Sequence, residues 1–118
     1  MIQENIEKIR KIVPKDITIV AATKTRSVDE IKQAIACGIT DIGENYIQEA
    51  EKKFNDIKRI VKWHLIGHLQ KNKVKKAVKI FDIIETVDSF EIAKEISKHT
   101  EKGFPVLIEI NSAREQQK

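Results

Sequence analysis

Three short stretches carry the side chains able to do chemistry. The first, Val20-Ala21-Ala22-Thr23-Lys24-Thr25, sets a primary amine at the end of a small, β-branched run. If that run is a buried parallel strand, Lys24 stands at its carboxyl end, where α/β folds place their ligands. Apolar walls there favour the free amine, the form that attacks a carbonyl to make a Schiff base. The plain alternative is a strand-end lysine that snorkels to solvent. The second stretch is Gly43-Glu44-Asn45-Tyr46. Its glycine permits a tight turn, and Asn45 either caps the next helix, the commoner use of an asparagine so placed, or hydrogen-bonds a ligand. The third is Trp63-His64-Leu65-Ile66-Gly67-His68-Leu69-Gln70. Strand alternation puts His64, Ile66 and His68 on one side and Trp63, Leu65 and Gly67 on the other.

Other groupings weigh less. Two histidines four apart on a strand sit far from each other, and no Asp, Glu or Cys joins them nearby, so metal binding is not expected. His64 reads as a hydrogen-bonded structural residue, and His68, nearer the carboxyl end, as the better site residue. Lys71, Lys75 and Lys79, with Lys73 and Lys76, form a basic stripe. Such a stripe attracts anions, but it is most often the solvated face of a surface helix. Glu44, Glu85 and Asp88 fall at strand exits, where a carboxylate serves as acid, base or, most commonly, helix cap. G-x-S-x-G, H-E-x-x-H, the P-loop and G-x-G-x-x-G are all missing.

The elements that must hold these residues alternate. Ile2, Ile6, Ile9 and Ile12/Val13 recur at helical spacing, with Pro14 as the stop. Residues 17–22 read as a strand buried on both faces. Ser27 and Glu30 form a capping box, and the helix behind it ends at Gly38. A strand is expected at 39–42, a helix at 46–54, a strand at 63–66 and a basic helix at 72–79. A further strand follows at 82–85, then a helix capped by Asp88 and Glu91 and closed by Gly103, and a last strand at 105–110. Strands alternating with helices imply βαβ units and a parallel sheet. An open doubly wound sheet and a (β/α) barrel both satisfy the pattern. Without a glycine-rich fingerprint after the first strand, a barrel or part of one is the expectation.

The chain has 118 residues, 41% of them hydrophobic, enough for one domain with a core. Its formal charge of +4 suits a small anionic ligand as well as mere solubility. Only 5% of residues are aromatic, which argues against stacking on single-stranded nucleic acid. Cys37 is the only cysteine, so no intrachain disulfide forms, and a reduced setting is expected. The N-terminus does not read as a signal peptide, and no apolar run nears the roughly 20 residues of a membrane span. A cytoplasmic location is therefore expected, with neither nucleic acid nor membrane as partner.

Together these stretches resemble one family. Val20-Ala21-Ala22-Thr23-Lys24-Thr25 is similar to its lysine strand, A-V-S-K-T. The run from Asp41 to Glu49 is similar to F-G-E-N-Y-x-Q-E, and Trp63 to Gln70 with Asn72-Lys73 to W-H-F-I-G-x-L-Q-x-N-K. Thr86-Val87-Asp88-Ser89 resembles S-V-D-S, and Val106 to Asn111 resembles V-L-I-Q-V-N. These motifs stand in the order and spacing of the pyridoxal phosphate (PLP) homeostasis family, single-domain relatives of the N-terminal barrel of alanine racemase.

The resemblance implies a (β/α)8 barrel that holds pyridoxal 5'-phosphate as an internal aldimine and buffers or delivers it, without a reaction of its own. It implies Lys24 as the Schiff-base lysine, Asn45 beside the cofactor ring and His68 near the site, with PLP-dependent apoenzymes as recipients. Racemase-like catalysis is the enzymatic alternative. It needs proton donors and acceptors on both faces of the cofactor, and Tyr46 is the only tyrosine. Family members are roughly twice as long, and residues 115–118 reach the point of a family E-x-x-K-x-G stretch. The expectation is thus residues 1–118 as one N-terminal part of the barrel, about five parallel strands. The family's last three strands, its phosphate-binding loops and the arginine facing the pyridine nitrogen would then be absent, and PLP binding impaired by truncation. Five strands cannot close an eight-stranded barrel. Exposed edges should therefore drive self-association or pairing with a C-terminal half, and a part-barrel that binds PLP only with a partner is the third reading.

Overall fold

The computed structural model describes residues 1–111; residues 115–118, matched to the family's E-x-x-K stretch, lie outside that range. Five helices and five strands alternate: α1 (Ile2–Ile12), β1 (Val20–Ala22), α2 (Val28–Ala36), β2 (Asp41–Glu44), α3 (Ile47–Ile57), β3 (Lys62–Leu65), α4 (Val74–Ile80), β4 (Ile83–Val87), α5 (Phe90–His99) and β5 (Val106–Ile108). The strands form one parallel sheet in the order β1-β2-β3-β4-β5. That order decides between the two architectures left open by the sequence. A doubly wound sheet reverses direction at a switch point, whereas here every strand adds beside the last. Right-handed crossovers in one direction put all helices on one face. The sheet is therefore an arc of a (β/α) barrel, as expected.

The core lies between the sheet and its helices. Trp63, Leu65, Ile42 and Ile84 point to that side and are fully buried, and Ile31, Ile57, Val74 and Phe81 close over them. Trp63 packs against Phe54 and Phe81 at ring-centroid distances of 5.3 and 6.5 Å, favourable tilted and edge-on arrangements. Its indole N–H donates to the Lys58 carbonyl at 2.7 Å, so the ring buries no unsatisfied donor. Asp82 accepts from the Trp63 amide and pairs with Arg59, 2.9 Å each. This occupies Asp82 just ahead of β4, so the strand runs 83–87 and not 82–85.

The outer strands depart furthest from expectation. The strand expected at 17–22 is only Val20–Ala22; Val20 and Ala21 are half-buried and Ala22 is exposed. The strand expected at 105–110 is only Val106–Ile108, with all three residues exposed. Each pairs on one side alone, and only the helix face of the sheet is covered. The β-branched composition of these runs reports what they are suited to pack against, and within these residues nothing covers their open side.

Helix ends follow local chemistry. Ser27 and Glu30 make both arms of the capping box: the Glu30 amide donates to Ser27 Oγ at 3.1 Å, and the Ser27 amide to Glu30 Oε1 at 3.0 Å. Gly38 takes φ +100° after α2, as a left-handed cap requires, and its carbonyl accepts from Arg10 of α1 at 2.6 Å. The cap of α5 is Ser89, whose Oγ accepts from the Ile92 amide at 3.2 Å; Asp88, expected in that role, sits one residue too early. Gly103 does have a left-handed φ of +92°, but α5 already ends at His99.

Candidate functional site

Lys24 follows β1 directly and occupies a tight turn. The Arg26 amide donates to the Thr23 carbonyl at 3.1 Å, which makes Lys24 and Thr25 the central residues of a four-residue turn. Thr25 has φ +64°. That is the left-handed region, costly for a β-branched residue and normally given to glycine at this turn position. Lys24 is exposed, not walled by apolar side chains as its strand context had suggested. The reason is the edge position of β1, which among the described residues leaves those after it without a neighbour on one side.

What the turn lacks in apolar walls it gains in anchors. Thr23 is buried; its amide donates to the Gly43 carbonyl at 2.9 Å and its hydroxyl donates to Glu44 Oε2. Lys53, one helical turn after Glu49 on α3, donates to the Thr23 carbonyl at 2.6 Å, to Glu44 Oε2 at 2.9 Å and to Glu49 Oε2 at 2.7 Å. The same Glu49 oxygen accepts from the Thr25 amide at 2.6 Å. The hydrogen bond from Lys53 holds the Glu49 carboxyl below its ordinary value, aided by the Thr25 amide and opposed by slight burial. Glu44 is fully buried, and its second oxygen, Oε1, has no hydrogen-bond partner among the described residues. Both main-chain groups flanking Lys24 are thus held by side chains of one helix.

Asn45 and His68 meet in an open cleft of about 500 Å³ at the same end of the sheet, lined also by Tyr46, Gln48, Gln70 and Lys73. Asn45 does not cap α3, whose cap position is Tyr46 without a side-chain hydrogen bond. Its side chain is left to the cleft. Gly67 sets the cleft's depth: a β-carbon there would lie 2.1 Å from the Asn45 carbonyl oxygen, so only glycine lets the exits of β2 and β3 approach this closely. Thr86 donates to the Gly67 carbonyl at 2.8 Å and ties the exit of β3 to β4. Asp88 faces His68 at 3.8 Å, whereas Glu85, expected at the strand exit, lies within β4 and faces His64 instead. Lys24 does not line this cleft; it stands at the same end of the sheet, beyond β2.

His64 lies elsewhere, on the face of the sheet turned away from the helices. It bridges three strands, with Nε2 2.7 Å from Asp41 of β2 and Nδ1 2.9 Å from Glu85 of β4. The structural role expected for it is correct, but the expectation that no carboxylate lies nearby is not. The partners, Asp41 and Glu85, are 23 and 21 residues away in sequence and arrive through the strand register, in which Gly43 pairs His64. Burial pushes the Asp41 carboxyl up, but hydrogen bonds from Thr40 and His64, and the His64 and Lys62 side chains, outweigh it and hold it below its ordinary value. Among the described residues, no group of three or more such side chains is arranged to hold a metal ion. Lys71 and Lys75 are exposed, as the solvated-face reading has it, while Lys73 turns to the cleft.

Sequence reasoning missed Lys53, and it read Glu49 only as part of a motif. The readable signal was the i, i+4 spacing of Glu49 and Lys53, which puts opposite charges on one face of α3.

A family model for the N-terminal domain of alanine racemase matches residues 1–115. The pyridoxal phosphate homeostasis protein of Buchnera aphidicola subsp. Acyrthosiphon pisum (strain APS) is 42% identical over 108 residues, 87% of this chain and 54% of that protein. The protein of the same name from Escherichia coli (strain K12) is 35% identical over 112 residues, 89% of this chain and 48% of that one. Among solved structures, PipY of Synechococcus elongatus PCC7942, with PLP bound, superposes with a TM-score of 0.78 at 35% identity, covering 84% of this chain and 48% of PipY. Alanine racemase from E. faecalis, at 16% identity and a TM-score of 0.68, shares the fold alone. The chain spans about half the length of the relatives it matches.

Proposed function

The chain belongs to the alanine racemase N-terminal-domain family, and from that premise we propose that it binds PLP through Lys24 and serves to hold and hand on the cofactor in the cytoplasm, not to turn over a substrate. The relatives named for PLP homeostasis and the PLP-bound PipY support this reading. The observation that carries it is the Lys24 turn: an exposed primary amine at the carboxyl end of a parallel strand, on a main chain anchored at both sides.

The residues present fit the aldehyde end of the cofactor and its ring. When bound, PLP supplies an aldehyde that condenses reversibly with a primary amine. Lys24 supplies that amine, and its exposure keeps it open to the cofactor's arrival and departure, as a carrier needs. Asn45, free of capping duty, offers an amide donor and acceptor to the ring's polar edge. His68, beside Asp88, lines the same cleft. The phosphate dianion asks for several backbone N–H donors. We propose that residues beyond the described ones supply them, with a second copy of this chain or a C-terminal half packing on the sheet. The outer edges of β1 and β5, unpaired among the described residues, and the exposed Leu107, Ile108 and Ile110 support such pairing. PLP-dependent apoenzymes are the recipients that a handing-on role calls for.

The test is an absorbance spectrum of the purified chain with PLP, followed by borohydride fixation and peptide mass mapping, with Lys24→Ala alongside. Label concentrated on Lys24 and lost in Lys24→Ala is the expected outcome. Weak label spread over many lysines, unchanged in the variant, would show that this chain alone is not a working PLP protein.

A further inference from the structure

We infer that Glu49, steadied by Lys53 and Glu44, is a positioning residue for Lys24: it holds Thr25 in its left-handed conformation and so sets the direction in which the Lys24 amine is presented. The inference rests on the proposal that Lys24 bonds PLP, but its evidence is separate. A β-branched residue at φ +64° persists only where its surroundings over-determine it. The surroundings here can be named. Glu49 Oε2 accepts from the Thr25 amide at 2.6 Å, and Lys53 fixes that carboxylate at 2.7 Å while also gripping the Thr23 carbonyl at 2.6 Å. The ammonium of Lys53 is buried and shared between two carboxylates and a carbonyl, so it is not free to follow a moving loop. The unit is rigid because α3 carries two of its members one helical turn apart, and β2 carries the third.

None of these side chains needs to touch the cofactor. They act through the main chain on either side of Lys24. Relaxation of Thr25 to an ordinary extended conformation would rotate the peptide that joins it to Lys24 and redirect the lysine side chain. A misdirected amine still condenses with PLP, but no better than the other surface lysines. Selectivity for Lys24 over the remaining lysines, and not the chemistry of condensation, is what the unit provides.

The experiment compares the unmodified chain, Glu49→Ala and the double variant Glu49→Ala/Thr25→Gly, each checked for native circular dichroism. One readout is the exchange rate of the amide at position 25 in the absence of PLP. The other is the share of borohydride-fixed PLP found on Lys24. Glu49→Ala should speed Thr25 exchange about tenfold and cut the Lys24 share by about tenfold. Glycine takes a positive φ without help, so the double variant should recover most of that share while its amide still exchanges fast. An undiminished Lys24 share in a folded Glu49→Ala chain overturns the inference, as does a loss that Thr25→Gly fails to restore. If the unmodified chain shows no preference for Lys24, the PLP reading fails instead. The anchor is then decided by exchange alone: an unchanged rate at Thr25 in Glu49→Ala overturns it, and a faster one sustains it as the device that holds the turn.

Discussion

At the scale of single residues, the centre of the site is the Glu44–Lys53 pair. Both groups are buried, and among the described residues the Glu44 carboxylate accepts only from Lys53 and the Thr23 hydroxyl, both at Oε2. Removing one member of a buried pair leaves an uncompensated charge. Lys53→Met should therefore destabilise the chain by about 3–5 kcal/mol, measured by urea unfolding. A loss below about 1 kcal/mol would show that the pair is better solvated than its burial indicates. The pair also marks where the sequence ceased to be readable. Lys24 could be singled out because a cation after an apolar run is unusual. For Lys53 the i, i+4 spacing with Glu49 was legible but its burial was not, since a lysine on an amphipathic helix normally faces water. Only the three-dimensional meeting of α3 with the exits of β1 and β2 buries it. His64 shows the same limit: its role was legible from alternation, while its partners Asp41 and Glu85 came from the register of neighbouring strands.

At the scale of elements, order and type were legible and ends were not. Helical spacing and short apolar runs pick out these elements because most of them bury one face, and burial is what those patterns encode; α1 and β5 carry the pattern without a buried residue. Ends depend on which polar groups find partners. Ser89, not Asp88, caps α5 because its hydroxyl lies over the Ile92 amide, and the expected strands at 17–22 and 105–110 shrink where no neighbour pairs with them. The junction between β2 and β3 offers a direct check. Gly67 sits against the Asn45 main chain, with backbone rather than a flexible side chain in the way. Gly67→Ala should thus cost about 1–3 kcal/mol through overpacking and push the β2 and β3 exits apart. Thermal unfolding would show the loss, and shifted Asn45 and His68 resonances the displaced cleft. An alanine accommodated without either change would contradict this account of the glycine.

At the scale of the whole molecule, helices cover one face of the sheet and, among the described residues, nothing covers the other. Helices cover the outer face; on the other side lie the Asp41–His64–Glu85 bridge and, at its border, Leu107. Ile108 and Ile110 are each about three-quarters exposed on or beside a strand that, among the described residues, pairs on one side only, an arrangement that proteins ordinarily avoid. Size-exclusion chromatography with light scattering should find a mass above that of the 13.6 kDa monomer, and Ile108→Lys should return it towards one. A well-behaved monomer in both cases would defeat the pairing proposal. The strand order has a further consequence, which concerns how the molecule is made. Every strand pairs with the next one in the chain, at a separation of about twenty residues. Each pairing therefore closes a short loop, and none waits for a distant segment. A nascent chain leaving the ribosome can lay down one strand and helix after another, each completed unit templating its successor, so that the lysine turn after β1 gains its anchors as soon as α3 has emerged.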